Sequence, residues 1–458
     1  MRGHSGQALL LAAMVAFSAT VHAEPAAEVE GLLDVYELAL EAEPRLRGRH
    51  REVEEVQALR DGAFGGLLPE ISLQGSVRRV RRDQTSTDMF GDEQDIERTF
   101  TSQQYGLSFT QPLYNVAAWR RLESADEELA RAELELEAER QALMQRVVES
   151  YLRVLNAQSV RELAQREEEA IATSLEQVEA LYEEGLVSIT ELEEVRARRD
   201  NARAGALRAE SDVEIAREEL AEVTDRHHRR LAGLHPDAEL PDVVPADIDV
   251  WTRRAHENNP ALLAARAGVE ATRHDMRAAR AEHLPTVDLI AGYDRIDDDV
   301  GEVDGSSVGR EFDDASIGIQ VSVPLYSGGR TSARTRAVDN RRERELEELE
   351  ATRRSVRTAV RSAFLALASG RSELRAQAQA VRSNERNVEA MEAGFEAGER
   401  SIVDVVDAQR DLFAQRRALT EIRHEYLIQT LALKAGAGML ETEDIVALDM
   451  MFGARPAD

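Results

Sequence analysis

Two long stretches of the chain place an apolar residue at every seventh position, which is the pattern of a coiled coil. In the first stretch, about 115–184, these residues are Leu122, Leu129, Leu136 and Leu143. In the second, about 327–397, they are Leu346, Val360, Leu367, Leu374, Val381, Val388 and Phe395, and the register is interrupted only by Arg353. Each stretch predicts a helix of about 70 residues, or roughly 105 Å at about 1.5 Å per residue. A glycine turn and a returning helix are predicted after each, at about 189–223 and 402–435.

Ahead of each long helix the apolar period changes to two, which predicts a β-hairpin with one apolar and one polar face. The apolar positions are Ile71, Leu73, Val77, Tyr105, Leu107 and Phe109 in the first hairpin, and Val287, Leu289, Ala291, Tyr293, Ile317, Ile319, Val321 and Val323 in the second. Strands of about 10–12 residues are expected, joined by long polar loops at about 83–100 and 298–313. One helix is predicted before each hairpin, at about 32–67 and 248–282. Each of these helices is expected to end before a Leu-Pro pair, because the residue before a proline disfavours the helical conformation.

The two halves of the chain share one plan. Gln111-Pro112-Leu113-Tyr114 corresponds to Val323-Pro324-Leu325-Tyr326, and Gly185-x-x-Ser188 corresponds to Gly398-x-x-Ser401. The sequence therefore predicts a first repeat at 24–233, a linker at 234–247, a second repeat at 248–440 and a tail at 441–458. In each repeat, two helices of about 35 residues placed end to end have the same length as the one helix of about 70, so they can lie along it. An antiparallel rod is expected, with a β-hairpin at one end and a helical tip at the other.

Composition narrows the function. The chain has 458 residues, and its 57 basic and 87 acidic residues give a net charge of −30, which argues against nucleic-acid binding. Aromatic residues are 4% and charged residues 31%, a balance that suits extended helices better than globular cores. There is no cysteine, which excludes disulfides, thiolate metal sites and cysteine nucleophiles. No phosphate-binding loop or nucleophile elbow is present, so neither an enzyme nor a cofactor is predicted.

Residues 1–23 have the pattern of an export signal, with Arg2, an apolar run and small residues before the cleavage position. The run of about ten residues is too short for a spanning helix, which needs about 20. Membrane insertion would therefore use the strands. Four strands cannot close a barrel in lipid, where open sheet edges are not tolerated, so insertion requires several copies of the chain. A soluble β-cap on a coiled-coil scaffold is the alternative.

Four segments carry a resemblance to a known family. The segment 389–408, the segment 185–192 and the two strand-to-helix junctions at 111–114 and 323–329 resemble those of the TolC family of outer-membrane efflux proteins. The resemblance covers nearly all of the chain after residue 23. It implies a mostly α fold with a membrane β-barrel: a trimeric 12-strand β-barrel, a 12-helix coiled-coil α-barrel across the periplasm, and an equatorial region built from the chain ends and the linker.

The resemblance also implies the function and the partners. A homotrimer would be the exit duct of a tripartite efflux pump or type I secretion system. It would passively conduct substrates from an inner-membrane transporter of the RND, ABC or MFS type, with a periplasmic adaptor protein as the second partner. The rival interpretation from the pattern alone is a periplasmic coiled-coil adaptor or scaffold without a pore. Duplicated hairpins with alternating faces have no role in such a scaffold.

Asp404 and Asp407 are the first candidate functional residues. They are three positions apart and share one helix face, so a three-fold assembly would bring six carboxylates around a narrow axis. Such rings attract cations. Taken without the family, the acids equally suit a first helical turn, and Ser401 with Asp404 has the pattern of a capping box. The resemblance assigns both aspartates to the constriction at the periplasmic entrance.

Two further groups of tip residues follow from the resemblance. Arg400 is expected to link neighbouring coiled coils in the closed state, facing Thr190 and Glu191 of the other tip. Glu191 and Phe395 stand where the family has an aspartate and a tyrosine, so the family's second link cannot form in the same way. The adaptor is expected to dock at a tip surface made of Gly185, Leu186, Val187, Ser188, Gly398 and Ser401.

Two acidic or histidine-rich segments carry weaker signals. His227, His228 and His235, with Asp225 and Asp237 nearby, match no metal-binding spacing and are expected to be a solvated linker patch. The acidic segment from Asp297 to Asp314 lacks the ligand spacing of a calcium loop and is expected to be a polar loop outside the cell. No metal site is predicted.

Overall fold

The structure, a computed structural model, describes residues 29–87, 91, 93–235, 238–303 and 306–453. The predicted export signal and the last residues of the tail lie outside the described residues. The helices are α1 Leu32–Ala42, α2 Pro44–Gly65, α3 Val116–Glu183, α4 Ile189–Thr224, α5 Ile248–Asn258, α6 Pro260–Ala281, α7 Arg330–Glu396, α8 Ile402–Gly436 and α9 Thr442–Asp449. The strands are β1 Glu70–Thr87, β2 Glu93–Tyr114, β3 Gly233–Leu234, β4 Thr286–Val303, β5 Ser306–Ser322 and β6 Phe452–Gly453. The order of two helices, two strands and two helices occurs before the linker and again after it.

Each helix that precedes a hairpin is broken in two at a proline. Pro44 begins α2 and Pro260 begins α6, while Glu43 and Asn259 are extended and cap the new helices with their side chains. Proline is tolerated at the first position of a helix but disfavours a helical residue before it. The prediction of single helices over 32–67 and 248–282 was wrong for this reason.

The long helices agree with the heptad prediction. α3 has 68 residues and α7 has 67. α2 and α4 both pack along α3, α6 and α8 pack along α7, and α6 also contacts α3. The heptad residues Leu143, Val360 and Leu367 are at most 1% exposed, as expected for the seam of a coiled coil. None of the helices in the described ranges combines the length and the apolar composition needed to cross a membrane.

The four long strands form one antiparallel sheet in the order β1-β2-β4-β5, so the two hairpins are joined through β2 and β4. Leu73 lies opposite Leu107, Leu107 lies opposite Tyr293, and Leu289 lies opposite Ile319. Because residues directly opposite each other share a face, the apolar positions of both hairpins form one continuous surface. That surface is exposed in the single chain, with Leu73 at 78%.

The strands are longer than the alternation predicted. β1 and β2 have 18 and 22 residues, and β4 and β5 have 18 and 17, where 10–12 were expected. The predicted loops at 83–100 and 298–313 are mostly strand. The ladder continues through these polar segments because its hydrogen bonds are made by the backbone, and ion pairs such as Arg81 with Glu97 and Arg295 with Glu311 span it.

The largest buried cluster lies around the middle of α3, where the chain ends and the linker meet. Its residues come from α1, α3, α4, α8, α9 and β6, with Tyr36, Leu143 and Tyr151 at most 1% exposed. β3 from the linker pairs with β6 from the tail. The Tyr151 and Phe452 rings meet edge to face, with centroids 5.4 Å apart. The first and last segments of the described chain are therefore held against the long helix.

Candidate functional site

The two helical tips, residues 181–192 and 394–405, turn in the same way. Gly185 and Gly398 both have φ +75°, in the left-handed region that glycine enters without a steric penalty. Behind each glycine the end of the long helix is closed by two backbone hydrogen bonds. Gly185 donates to Tyr182, and Leu186 donates to Leu181, both at 2.9 Å. Gly398 and its successor make the same two bonds, which together define a Schellman motif at each tip.

Each return helix begins with a reciprocal cap. The Ser188 hydroxyl accepts from the backbone amide of Glu191 at 3.2 Å, and the Glu191 carboxylate accepts from the Ser188 amide at 2.8 Å. Ser401 and Asp404 form the same pair of bonds at 3.2 and 3.0 Å. Such capping boxes satisfy two amides that a helix start leaves without partners. The structure therefore shows the helix-capping role that the sequence predicted for Asp404 as an alternative to a role at the entrance.

The cap sets the charge of Asp404. Hydrogen bonds from the Ser401 amide and hydroxyl, with a smaller contribution from the nearby Arg400 charge, hold the pKa of the Asp404 carboxyl below its usual value. Only Oδ2 takes part in the capping bonds. The side chain therefore carries a negative charge at neutral pH while it caps its helix.

Asp407 has a different partner. The guanidinium of Arg198, on α4, donates from Nη1 to Oδ1 at 3.1 Å and from Nη2 to Oδ2 at 3.0 Å. Nη2 also donates to Glu194 at 3.0 Å. The Arg198 side chain is 18% exposed and that of Asp407 is 45% exposed. Sequence analysis missed Arg198: Glu194 and Arg198 have helical i, i+4 spacing, but nothing local indicates a contact with a residue 209 positions later.

An apolar cluster lies beside this pair and joins the two helical hairpins, the first formed by α3 and α4 and the second by α7 and α8. Its buried members are Ile171, Val178, Leu192, Val195, Ile402, Val405 and Val406, and Phe395 and Val187 pack against it. Phe395, which stands where the family has a tyrosine, thus packs against apolar residues. Since Phe395 has no hydroxyl and Glu191 is used in its own cap, neither makes a polar bond across the hairpins in the described part of the chain.

The other predicted tip residues lie at the surface. Thr190 and Arg400 are exposed, and Leu186 is 67% exposed at the first tip. A link from Arg400 to a neighbouring coiled coil requires a second chain and stays a prediction. The docking role of the tip surface also stays a prediction.

The histidine segment of the linker is not one solvated patch. His228 is 2% exposed; its Nδ1 lies 2.7 Å from Glu30 Oε2 and its Nε2 lies 2.8 Å from Thr224 Oγ1. His227 is exposed, and Asp237 lies outside the described residues. Within the described ranges, no group of three or more His, Cys, Asp or Glu residues could hold a metal ion. His228 therefore connects Glu30, near the first described residue, with Thr224 at the end of α4.

The geometry defines a class of protein: helical hairpins about 100 Å long that carry a β-sheet with an exposed apolar face at one end and charged turns at the other. These are the features of an outer-membrane exit channel. The family described as outer membrane efflux protein matches the chain at residues 35–225 and again at 251–439. The chain belongs to this family, and it is an outer-membrane exit channel for efflux or secretion.

Relatives of known role agree with this assignment. The chain is 31% identical to the outer membrane protein TolC of Vibrio cholerae, over 91% of this chain and 92% of that protein. It is 30% identical to the TolC of Escherichia coli, over 92% and 85% of the two chains. It is 28% identical to the alkaline protease secretion protein AprF of Pseudomonas aeruginosa, over 93% and 89%.

Solved structures show the same fold. The outer membrane protein VceC of Vibrio cholerae matches with a TM-score of 0.76 at 18% identity, over 89% of this chain and 96% of that one. The CmeC outer membrane channel of Campylobacter jejuni matches with a TM-score of 0.75 at 16% identity, over 93% and 90%.

Proposed function

We propose that three copies of this chain form one continuous duct through the outer membrane and the periplasm. The observation that carries the proposal is the open sheet. Its edge strands β1 and β5 have no partner strand among the described residues, and its continuous apolar face is exposed. In lipid, an open edge leaves backbone groups without hydrogen bonds, so the sheet must close on itself. Four strands from each of three chains give a 12-strand barrel, a size found among outer-membrane barrels.

The helices continue the barrel as a tunnel. At each level α3 and α7 are accompanied by two shorter helices, α2 and α6 near the sheet or α4 and α8 near the tips. Three chains then contribute 12 helices. The recurrence of the same element order supports the duplication at 24–233 and 248–440. A length of about 100 Å suits a path across the periplasm, with the tips directed to the inner membrane.

Exit channels of this kind work with two partners. An inner-membrane transporter of the RND, ABC or MFS type supplies the energy, and a periplasmic adaptor docks at the tips. The exposed tip surface, with Leu186 at 67% exposure beside Ser188, supports that docking role. Asp404 and Asp407 face the narrow end as selectivity residues, and Arg400 links neighbouring chains towards Thr190 and Glu191. The protein itself conducts passively and does no covalent chemistry.

Single-channel recording of the detergent-purified protein in a planar lipid bilayer tests this function. A stable conductance that prefers K⁺ over Cl⁻ is expected, from a species whose mass in detergent corresponds to three chains. A folded protein that is soluble without detergent and gives no conductance would overturn the proposal in favour of a scaffold without a pore.

A further inference from the structure

We propose that Arg198 is a positioning residue of the channel entrance: it links the two hairpins of one chain through Asp407 and cancels the charge of that aspartate. The inference rests on the proposed channel function. Opening of the entrance, in this proposal, separates α8 from α4 and breaks the link. Asp404 is then the aspartate that sets ion selectivity in the closed state.

The link has the geometry of a specific contact rather than a chance surface pair. Both terminal nitrogens of Arg198 donate to the two oxygens of one carboxylate, at 3.1 and 3.0 Å. Paired, parallel hydrogen bonds of this kind fix orientation as well as distance. Glu194 holds the same guanidinium from within α4 at 3.0 Å, so the arginine is positioned before it reaches Asp407.

The place of the link makes it sensitive to motion between the hairpins. Val195 and Val406 are both fully buried in the apolar cluster that joins the hairpins, and Arg198 follows Val195 by one helical turn. Two parallel hydrogen bonds between one guanidinium and one carboxylate require a fixed relative position of the two groups, so they are lost when the helices that carry them move apart. Separation of α4 from α8 therefore removes the pair early.

A second ion pair joins the hairpins farther from the tip. Arg417 on α8 lies 3.2 Å from Glu167 on α3, where the glutamate side chain is 10% exposed. The two pairs have opposite polarity, because α8 supplies the acid near the tip and the base farther away. Each hairpin therefore offers both an acid and a base to the other, which fixes their relative register along the rod.

Offsetting the negative charge of Asp407 with Arg198 lowers the net negative charge at the entrance. With both aspartates free, three chains would place six negative charges near the axis. With Asp407 paired to Arg198, three of those charges are offset, and the three from Asp404 remain. The closed entrance should therefore prefer cations less strongly than the aspartate pair alone suggests, and loss of Arg198 should strengthen that preference.

Planar-bilayer recording of the full chain in a KCl gradient tests the proposal with five variants, including Arg198→Lys, which keeps the charge at that position. Arg198→Gln removes the link and leaves Asp407 unpaired. Asp407→Asn removes the link and leaves Arg198 paired with Glu194 of its own helix. The double variant Arg198→Gln/Asp407→Asn removes the link but keeps the net charge of the pair. Arg196→Gln is the matched control, because Arg196 lies two positions away on α4 and its partners among the described residues, Glu179 and Glu193, belong to its own hairpin.

Each variant has a distinct expected result. Open probability should rise about two- to fivefold in Arg198→Gln, in Asp407→Asn and in the double variant, as expected for loss of one partly exposed ion pair. Cation preference should rise in Arg198→Gln, fall in Asp407→Asn and match the unchanged protein in the double variant. Arg198→Lys keeps the charge but not the paired hydrogen bonds. Its cation preference should match that of the unchanged protein, whereas its open probability should be raised as in Arg198→Gln.

The outcomes separate this proposal from the channel function. A conducting protein in which Arg198→Gln behaves like Arg196→Gln would overturn the link and leave the channel intact. Equal selectivity in Arg198→Gln and Asp407→Asn would overturn the charge cancellation. Absence of conductance from the unchanged, folded protein would instead reject the channel function on which the proposal rests.

Discussion

The phenol of Tyr151 donates a hydrogen bond to the backbone carbonyl of Ala232 at 2.7 Å, which ties the long helix α3 to the segment between α4 and α5. Tyr151 is fully buried, and burial raises the pKa of its hydroxyl above the ordinary value. The hydroxyl therefore stays protonated and continues to donate at any pH at which the protein is folded.

Removing this hydroxyl should lower the free energy of unfolding, because the hydrogen bond lies in the buried cluster around the middle of α3. Tyr151→Phe keeps the ring and its contact with Phe452 but leaves the buried Ala232 carbonyl without this donor. We expect a loss of about 1 kcal/mol, since that is typical for one buried hydrogen bond. Thermal unfolding in detergent, followed by circular dichroism, measures the change. Tyr182→Phe, at an exposed site on α3, is the control and should leave the unfolding temperature unchanged.

The sequence predicted the long helices well and the contacts between them poorly. Heptad leucines fix a helix by local spacing, so the ends of α3 and α7 could be placed within a few residues. The pairing of Arg198 with Asp407 depends on how two hairpins meet, and no local pattern encodes it. The polar halves of the strands were missed for a related reason: residues such as Arg81 and Glu97 show no apolar alternation, although the backbone ladder continues through them.

Glu167 should make the rod less stable when it is ionised. Burial outweighs the nearby Arg417 and Arg410 charges and raises the pKa of Glu167 above its ordinary value. An acid whose folded pKa is raised contributes stability at low pH, and that contribution is lost as pH rises through the folded pKa. Glu167→Gln should therefore unfold at a higher temperature than the unchanged protein at pH 8 and at the same temperature near pH 4.

A pair of melting curves at pH 8 and pH 4 measures this effect. Glu162→Gln is the matched control, because Glu162 lies on the same helix and its side chain is 55% exposed in a pair with Arg166. It should show no such dependence on pH. A lower unfolding temperature for Glu167→Gln at pH 8 would mean that the pair with Arg417 stabilises the rod after all.

His424 should make the protein sensitive to acid. Burial, with a smaller effect of Arg423, lowers the pKa of His424 to about 4. Its Nδ1 is buried without a hydrogen-bond partner in the described part of the chain. For a base whose pKa is lowered on folding, stability falls as pH drops below the unfolded value, because the unfolded chain takes up the proton first. Between about pH 6.5 and 4 the loss should reach roughly 3 kcal/mol.

Replacing His424 with an apolar residue of similar size should remove this acid sensitivity. Unfolding temperatures measured from pH 7.5 to pH 4 should decline less steeply for His424→Leu than for the unchanged protein. His50→Leu serves as the comparison, because His50 is exposed on α2 and its replacement should leave the decline as it was. Parallel declines for all three proteins would show that another group carries the acid sensitivity.

Asp404 both caps α8 and, in our proposal, attracts cations at the entrance. The two roles can be compared, because the cap of α4 at the other tip is made by Glu191. Asp404→Ala removes the capping carboxylate of α8 together with its charge, whereas Glu191→Ala removes the equivalent cap of α4. Both changes should lower thermal stability to a similar extent. In our proposal only Asp404→Ala should also weaken cation preference, since Asp404 lies at the entrance. Similar losses of selectivity in the two variants would show that the effect does not come from Asp404 in particular.

The pH dependence of selectivity gives a second test of Asp404. Because the capping bonds hold the pKa of the Asp404 carboxyl below its usual value, the carboxylate stays charged under mildly acidic conditions. Cation preference in the planar bilayer should therefore persist through the pH range in which an ordinary aspartate is protonated and decline only under more acidic conditions. In Ser401→Ala the hydroxyl bond to the carboxylate is lost, so the decline should begin at a higher pH. A decline near pH 6 in the unchanged protein would instead place selectivity with a group other than this aspartate.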